Sequence, residues 1–480
     1  MKGRIRNLLN KGSEHFYFVG ATIISAGIHF LYSIFVKAHI DPLEYGMYST
    51  CLLLKTYLSY IQLGSLNAFN RDYPQIVGAG DLDKAKKYRD TTFTYLSSIF
   101  ITAAVVASLV IIIIGNTNGL DKRYILGLIL STIITATTIL ENFLSSRVRI
   151  DGSFKYTSIV IVVELLSVGV GFVLIPWIGY YGLYCVTIGS MVIGIVMYYR
   201  KGISDINFSI DKTLLKSIII SGMPLLINGL IWTIVESIDK FVILGFMNAE
   251  RLGMYSIAQM AFSYMILVPS AMSQLFYVNL GKAYGASGSK EELNRVAVKY
   301  TLVIAVVIGF FVQIAYFFIR PAVEWVMPKY ADGVKSAQFL MLGLAIYAPT
   351  MVNGNILTIL KKNAALLRGS LYLCFLNIAC SIGLILILGV KIENVAIGTA
   401  ISYLVRTVIL IIQLKREAES DVWAMINASV VPVLIIAGPG IIFYHIIDSI
   451  ITGFIVSIVV SMVVVFALYW KKIKNLIMRN

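Results

Sequence analysis

Long apolar stretches recur along the whole of this 480-residue chain and constrain its fold more than any other feature. Each is about 20 residues long, enough for a helix to cross a hydrocarbon core of about 30 Å. Hydrophobic residues make up 58% of the sequence and charged residues only 14%, too few to cover a soluble protein of this size. The sequence therefore predicts an all-α polytopic membrane protein. We expect fourteen membrane-spanning segments, near 16–36, 46–68, 92–114, 124–146, 154–175, 180–199, 217–245, 252–276, 298–319, 336–359, 366–389, 394–414, 427–446 and 450–470.

Lysine and arginine are distributed unevenly between the two sides of the predicted bundle. One side carries 29 of the 40, including the N-terminal residues Lys2, Arg4, Arg6 and Lys11 and the tail from Lys471. The opposite side carries nine: Lys37, Lys122, Arg123, Lys240, Arg251, Arg320, Lys329, Lys335 and Lys391. Because cytoplasmic loops are enriched in basic residues, both termini are predicted to be cytoplasmic. The net charge of +15 is explained by the same loops, and no basic domain with a nucleic-acid-reading element is present.

An internal duplication divides the chain. The tetrapeptide Gly-Met-Tyr-Ser occurs at 46–49 and again at 253–256, an offset of 207 residues, and matching tyrosine, phenylalanine and glycine positions follow each copy. We predict a six-helix bundle at 1–205, its repeat in the same orientation at 206–414, and two additional helices with a basic tail at 415–480. Two bundles of this kind are the usual construction of a secondary transporter, with a site between the halves.

Other classes of protein are disfavoured by what lies between the segments. No loop exceeds roughly 25 residues, so no catalytic or nucleotide-binding domain is hidden there. No phosphate-binding Gly-Lys loop occurs, and the four cysteines lack metal-binding spacing. We therefore expect no enzyme activity, no cofactor and no metal.

Around the repeated tetrapeptide the chain resembles a known family. The sequence Asp-Pro-Leu-Glu-Tyr-Gly-Met-Tyr-Ser spans 41–49, and Asp239-Lys240 leads through Glu250-Arg251 to the second copy. These stretches are similar to those of polysaccharide and oligosaccharide-lipid flippases, in the superfamily that also contains multidrug antiporters. The resemblance covers the whole chain in helix number and loop pattern.

The resemblance implies a Wzx-type flippase of the bacterial cytoplasmic membrane. Such a protein moves an undecaprenyl-pyrophosphate-linked oligosaccharide from the inner to the outer leaflet by alternating access, for surface polysaccharides such as O-antigen or capsule. The implied partners are this lipid-linked substrate, membrane lipids, and a polysaccharide polymerase with its export machinery. A cation-coupled multidrug antiporter and a peptidoglycan-precursor flippase are the alternatives. A polyprenyl-dependent glycosyltransferase is disfavoured by the short outer loops.

Basic residues inside apolar segments are the first candidates for substrate binding, since a charge at mid-membrane costs roughly 2.5–3.5 kcal/mol on insertion scales. Lys55 lies about nine residues, or roughly 13 Å, into the second segment. The resemblance implies that this segment lines a cavity, so Lys55 is a candidate phosphate contact; a snorkelling or helix-paired lysine is the alternative. Arg406, in the twelfth segment, offers a planar fork to a pyrophosphate, or else snorkels to the interface.

The densest charge cluster lies in the seventh segment, at Glu236, Asp239 and Lys240. Glu236 and Lys240 are one helical turn apart, so they are able to form a local ion pair. Asp239 then keeps a charge for a role distant from the substrate phosphate or for coupling to a cation. We predict Asp239 and Lys240 as substrate-binding residues and Glu236 as a coupling residue; the alternative is an ion pair near the outer interface that positions the helix.

His29 is a second candidate for coupling. At the repeat offset it corresponds to Glu236, so the two halves would carry titratable groups at matching positions. Histidine changes charge near neutral pH, which suits proton coupling. A buried, hydrogen-bonded histidine is the alternative.

Three further charges are assigned by position alone. Glu164 lies in the middle of the fifth segment and is a candidate coupling residue, whereas Glu141, close to Arg147, is predicted to be structurally paired. Arg71 ends the second helix on the cytoplasmic side and is a candidate contact for the substrate phosphate. Its alternative role is a topology-fixing charge beside Asp72.

Overall fold

A computed structural model describes the backbone of residues 2–202 and 206–477, and the side chains of 17–18, 20–201 and 206–469. Every regular element in these residues is a helix, which confirms the predicted all-α fold. The side chains of Lys2, Arg4, Arg6 and Lys11 and the tail from Lys471 lie outside the described side chains. The cytoplasmic location of both termini therefore stays a prediction.

The chain folds into two compact units, Met1–Thr233 and Ile234–Asn480. The division falls inside one long helix, Lys212–Phe246. The predicted boundary of the repeat, at 205, lies between 202 and 206, outside the described residues. The duplication into 1–205 and 206–414, with 415–480 outside it, remains a prediction.

The first unit contains seven α-helices, a short 3-10 helix and the beginning of an eighth α-helix. These are α1 (Lys2–His39), α2 (Pro42–Leu58), the 3-10 helix Ser59–Gln62, α3 (Ser65–Gly78), α4 (Leu82–Thr117), α5 (Lys122–Ile150), α6 (Phe154–Ile178), α7 (Tyr180–Gly202) and α8 (Lys212–Phe246).

The second unit begins within α8 and continues through the remaining helices. These are α9 (Ala249–Met265), α10 (Leu267–Ser287), α11 (Lys290–Val326), the 3-10 helix Pro328–Gly333, α12 (Val334–Tyr347), α13 (Thr350–Ile359), α14 (Asn363–Leu388), α15 (Ile392–Ala418), α16 (Val422–Ile446) and α17 (Ile450–Ile477).

In the described residues, thirteen helical segments are long and apolar enough to cross a membrane, against the fourteen expected. The difference lies in the second segment, because α2 ends at Leu58 and the chain turns through Leu63 (φ 50°) and Gly64 (φ 80°), both left-handed. A Cβ on Gly64 would lie 2.5 Å from the backbone of Gly222 in α8. Glycine therefore allows both the turn and the close approach of the two helices.

The helices before and after each tetrapeptide follow a parallel order. Both α2 and α9 have 17 residues, and the helices two places later, α4 and α11, have 36 and 37. Tyr48 of the first copy lies 3.3 Å from the hydroxyl of Thr187 in α7. Tyr255 of the second copy interacts with Thr399 in α15 and Asp239 in α8. Each copy of the tetrapeptide thus places its tyrosine hydroxyl beside a threonine of a later helix of the same unit.

Each unit has its own buried apolar core, and large apolar side chains also cover its outside. Leu96 and Phe143 belong to the core of the first unit, and Ile304 and Leu344 to that of the second. Long helices such as α14 leave residues like Ile387 78% exposed. A surface of this kind is stable only against lipid, so the chain is a multi-pass membrane protein.

Candidate functional site

Lys55 lies in the last turn of α2 and is half-buried. The carboxylate with which it interacts electrostatically is Glu141, on α5, the helix that packs against α2. The structure therefore gives Lys55 a carboxylate partner on a neighbouring helix, in line with the alternative of a helix-paired lysine.

A second carboxylate joins this pair. A Cβ on Gly194 of α7 would clash with Oε1 of Glu164 and would lie 3.1 Å from Cγ of Glu141. The two glutamates therefore converge on the same small residue. Oε1 of Glu164 is buried and has no hydrogen-bond partner in the described part of the chain. Lys55, Glu141 and Glu164 thus form one group, which we call the first-unit charge cluster.

Glu141 is paired differently from the sequence expectation. It interacts with Lys55 and with Arg149, whereas Arg147 lies 3.9 Å from Asp151. Arg147 and Asp151 are four residues apart at the end of α5, where the helix closes against a turn. The partners that the structure gives to Glu141 are thus Lys55 and Arg149, which the sequence position alone did not name.

Asp239 occupies a buried position in α8, with 8% of its surface exposed. Its carboxylate accepts hydrogen bonds from the phenol of Tyr255 (2.5 Å) and the hydroxyl of Thr399 (2.7 Å). Tyr255 belongs to the second tetrapeptide, so the motif holds this carboxylate in place. Both oxygens are occupied by neighbouring helices, which makes Asp239 a poor direct contact for a large substrate.

Hydrogen-bond acceptors outnumber hydroxyl hydrogens beside Asp239. Oγ1 of Thr399 lies near three acceptors, which are Oδ1 of Asp239 (2.7 Å), Oδ1 of Asn377 (3.1 Å) and the carbonyl of Val395 (3.2 Å). Ser381 Oγ lies 3.0 Å from Oδ1 of Asn377. Each hydroxyl has one hydrogen to donate, so the acceptors around Thr399 compete for it, while the Asn377 side chain also hydrogen-bonds Asp239. Carboxylate, amide, carbonyl and hydroxyl oxygens are together the environment that a hard cation prefers.

Glu236 and Lys240 lie on either side of Asp239 in the helix sequence. Glu236 is exposed and Lys240 is half-buried. Lys240 interacts electrostatically with both Glu236 and Asp239. The lysine therefore balances two carboxylates at once, one of them buried.

Arg406 lies in α15 and is buried, with 6% of its surface exposed. Its Nη1 is buried and has no hydrogen-bond partner within the described residues. The guanidinium lies flat against Gly369 of α14, where a Cβ would come within 2.6 Å of Cζ. A side chain that snorkels would be exposed at its tip, so the structure favours the alternative in which Arg406 presents a donor inside the membrane.

His29 lies on an exposed face of α1. Its Nδ1 lies 2.8 Å from the carbonyl of Ser25, one turn earlier, and 3.3 Å from the hydroxyl of the same residue. Among the residues that the structure describes, its contacts therefore stay within its own helix, and the buried alternative is not observed.

Arg71 and Asp72 form an ion pair of 2.5 Å in the middle of α3, outside the apolar spans. Asp72 also accepts hydrogen bonds from Ser221 of α8 (3.1 Å) and Tyr88 of α4 (3.4 Å). The Arg71 hydrogen bond, more than the other contacts, lowers the pKa of the Asp72 carboxyl. Arg71 keeps 44% of its side chain exposed, so it remains accessible beside a carboxylate that ties three helices together.

One buried charge was assigned wrongly from sequence. The sequence predicts Lys37 in a loop on the outer side, yet it lies within α1 and is 1% exposed. Its ammonium lies 4.2 Å from the centre of the Tyr45 ring, a cation–π contact. The helix extends to His39, three residues beyond the predicted end, and carries Lys37 into the packing.

The structure brings together some of the predicted residues and not others. Lys55 and Glu164 meet through Glu141 in the first unit, whereas Arg71 and His29 lie apart from that cluster. In the second unit, Glu236, Asp239 and Lys240 form one group. Tyr347 interacts electrostatically with both Glu236 and Arg406. Arg406, the other predicted residue of the second unit, is therefore linked to this group through Tyr347.

The fold is that of known membrane transporters. The lipid II flippase MurJ, in an inward closed conformation, matches with a TM-score of 0.72 at 16% identity, over 95% of this chain and 99% of that chain. A multidrug resistance MATE family transporter of the MOP superfamily, in an inward-facing conformation, matches with 0.67 at 16% identity, over 83% of this chain and 96% of that chain. A MOP superfamily transporter from Pyrococcus furiosus matches with 0.57 at 15% identity, over 85% and 96%.

The fold is therefore similar to that of a MOP-superfamily transporter and of a lipid II flippase. A family model described as polysaccharide biosynthesis protein matches residues 12–276, more than half of the chain. The chain therefore belongs to the polysaccharide biosynthesis protein family. No curated protein matches the sequence. The similar structures are those of a flippase and two transporters.

Proposed function

We propose that this chain is a flippase that moves an undecaprenyl-pyrophosphate-linked oligosaccharide across the bacterial cytoplasmic membrane by alternating access. Membership of the polysaccharide biosynthesis protein family supports the substrate class. The observation that carries the proposal is Arg406, a buried guanidinium within a membrane helix whose Nη1 lacks a partner among the described residues. A buried donor without a partner costs about 1–3 kcal/mol, and more when charged. A phosphate that accepts this hydrogen bond recovers that free energy.

Lys55, in the first unit, is a separate candidate contact for a substrate phosphate. It is held by Glu141 when no substrate is bound, and the lysine exchanges this carboxylate for a phosphate oxygen. Glu164 lies next to Glu141. We assign to Glu164 the uptake of the proton that is coupled to substrate movement. Lys240 and Arg71 are weaker candidates, because each already balances a neighbouring carboxylate.

Asp239 is the better candidate for coupling to a cation than for substrate binding. The carboxylate is buried and is surrounded by the oxygens of Thr399, Asn377 and the Val395 carbonyl. A sodium ion there satisfies the competing acceptors; alternatively, a proton on Asp239 does so. Since α8 and α15 both contribute, cation binding ties the two helices together and biases one conformation over another. Glu236 and His29 are exposed titratable groups that remain candidates for a proton route.

A flippase for a peptidoglycan lipid precursor is the second candidate function. It is favoured by the structural similarity to the lipid II flippase MurJ, which extends over 99% of that chain. A multidrug antiporter is less favoured, because organic cations are repelled by the half-buried Lys55 and the buried Arg406.

The partners and the pathway follow from the substrate. A lipid-linked oligosaccharide delivered to the outer leaflet is used by a polysaccharide polymerase and its export machinery, for O-antigen or capsule. The two-unit arrangement, with a repeat at 1–205 and 206–414, is the proposed basis of the two alternating conformations.

The experiment that tests this function compares three substrates in vesicles reconstituted with the full chain. These are an undecaprenyl-pyrophosphate oligosaccharide, a lipid II analogue and a fluorescent organic cation. Movement of the first across the bilayer supports the proposal, movement of lipid II alone supports the second candidate, and movement of the cation alone contradicts both.

A further inference from the structure

A cavity of about 920 Å³ lies wholly within the second unit. It is formed where α8 passes into α9, at the end of α11, at the start of α12, at the turn before α15 and at the end of α16. These helix ends lie on the side that the sequence predicts to be extracytoplasmic. The volume falls in the range of about 300–1,000 Å³ that takes small-molecule ligands.

The lining of this cavity is basic. Arg251, Arg320, Lys335 and Lys391 all contribute to its walls. The sequence leaves only nine lysines and arginines on that side, and of these Lys37 is buried and Lys240 half-buried in the helix packing. Because the positive-inside rule removes basic residues from outer loops, the concentration of four of them in one cavity needs a functional reason.

Acidic residues neutralise only part of this charge. Arg251 lies 3.4 Å from Asp332, and Arg320 lies 2.9 Å from Glu324. Glu393 is the other carboxylate in the wall. Lys335 and Lys391 are exposed, and the described residues place no carboxylate within ion-pair distance of either. The cavity therefore offers two ammonium groups to an anion.

Aromatic rings form another part of the wall. Tyr316 and Tyr444 pack edge to face, with ring centres 5.2 Å apart. The phenol of Tyr444 also contacts the Arg320 guanidinium. Tyrosine presents an apolar face beside a polar tip, and the apolar face packs against the C–H face of a sugar ring.

The walls are held by buried side chains rather than by free loops. Gln338 in α12 donates to the carbonyl of Tyr316 (3.1 Å), and Asn394 donates to the carbonyl of Gly389 (2.7 Å), which fixes the turn carrying Lys391. A Cβ on Gly333 would clash with the carbonyl of Met254, so the 3-10 helix before α12 packs directly on α9. Cationic groups on such a scaffold are preorganised for a ligand.

We propose that this cavity is a binding site for the acidic groups of a saccharide, carboxylate or phosphate, on the side of the membrane opposite the termini. Lys335 and Lys391 bind the anionic group, and Tyr316 and Tyr444 pack against a neighbouring ring. The saccharide part of this inference rests on the proposed function; the anion part rests on the cavity alone. The site retains the emerging glycan after translocation and favours acidic repeats over neutral ones.

The test measures binding to the purified full chain in a neutral detergent, with tetragalacturonate as the acidic probe and maltotetraose as the neutral one. Tetragalacturonate binds and maltotetraose does not, and the affinity falls as salt is added. The double substitution Lys335→Gln/Lys391→Gln weakens tetragalacturonate binding at least about tenfold, which corresponds to one lost charge-assisted hydrogen bond. Lys122→Gln, an exposed lysine on the same predicted side but in the first unit, leaves it unchanged.

Equal binding of both tetrasaccharides, or equal affinity of the double variant and the wild type, overturns the proposal. A short-chain phosphatidylglycerol serves as a third probe, since a lipid headgroup carries the same anionic chemistry. If it binds through Lys335 and Lys391 and tetragalacturonate does not, the saccharide assignment is wrong. The assay requires neither translocation nor a lipid-linked substrate. A chain that binds tetragalacturonate but moves no lipid would contradict the flippase alone.

Discussion

The guanidinium of Arg406 in α15 lies against the bare backbone of Gly369 in α14, at a distance that no larger residue permits. A Cβ at 369 would lie 2.6 Å from Cζ and 2.5 Å from Nη2. A larger residue at 369 would therefore displace the buried Arg406 guanidinium, and such a substitution changes no charge.

This relationship predicts that Gly369→Ala impairs substrate movement. The added methyl displaces the guanidinium, and we expect the initial rate in reconstituted vesicles to fall at least about tenfold, the effect of losing about 1.4 kcal/mol of phosphate binding. Gly383→Ala is the matched control in the same helix, because nothing lies within 4 Å of a Cβ there.

A double-substitution cycle separates displacement of Arg406 from general damage to the helix pair. In an Arg406→Gln background, Gly369→Ala is expected to cause little further loss of rate, since the group that it displaces is already absent. A full additive loss in the double variant, or a wild-type rate in Gly369→Ala alone, contradicts the role given to Arg406.

Asp239 is predicted to determine the response to cations. Asp239→Asn removes the charge, so the transport rate is expected to lose its dependence on sodium or on pH, whichever the wild type shows. Thr399→Val keeps the charge but removes one oxygen, and is expected to raise the cation concentration needed for half-maximal rate. Glu419→Gln, an exposed carboxylate paired with Lys290 at 2.7 Å, is the control. An unchanged ion dependence in Asp239→Asn would rule out this site.

Lys55 is predicted to have both a structural and a substrate role, which a pair of variants separates. Lys55→Gln removes the more strongly interacting of the two positive charges acting on Glu141 and leaves only Arg149, so the melting temperature in detergent is expected to fall by a few degrees. Adding Glu141→Gln restores the melting temperature because the carboxylate that lost its main counter-charge is gone. Substrate movement is expected to stay low in the double variant. Recovery of both stability and movement would mean that Lys55 only balances Glu141.

The ion pair of Asp72 predicts a pH-dependent contribution to stability. The Arg71 hydrogen bond, followed by those of Ser221 and Tyr88, stabilises the ionised carboxylate and lowers its pKa in the folded state. The unfolded chain then binds more protons, so this contribution is fully present above the unfolded pKa of about 3.9 and is lost as pH falls through the folded pKa.

Asp72→Asn is accordingly expected to lower the melting temperature at pH 7, with a difference from wild type that shrinks as the pH is lowered toward about 3. Asp448→Asn, an exposed residue in the turn between α16 and α17, provides the baseline. A difference that grows in acid would mean that Asp72 does not carry this contribution.

The sequence predicts the helices well because each apolar segment is a local signal. Glu236 and Lys240 were found to interact for the same reason, since their four-residue spacing is set within one helix. The second segment was the exception, because the turn at Leu63 and Gly64 depends on Gly222, which is distant in the sequence.

Contacts between distant helices account for most of what the sequence missed. Asn377 and Thr399 contact Asp239 only in the folded chain. Their position as polar residues within apolar segments is the one sequence feature that indicated a buried contact. Glycine gives no chemical signal at all, so the roles of Gly194 and Gly369 could not be predicted. Lys37 was misplaced because helix ends are uncertain by a few residues.

The most direct measurement follows a fluorophore-labelled undecaprenyl-pyrophosphate oligosaccharide in vesicles containing the full chain, with a membrane-impermeant reductant outside. In empty vesicles, fluorescence loss stops once the outer leaflet is exhausted. With the wild type, loss is predicted to continue as inner-leaflet substrate arrives, and Arg406→Gln is predicted to slow this second phase at least about tenfold. If wild-type vesicles stop at the same level as empty ones, the chain does not move this class of lipid and the central claim is wrong.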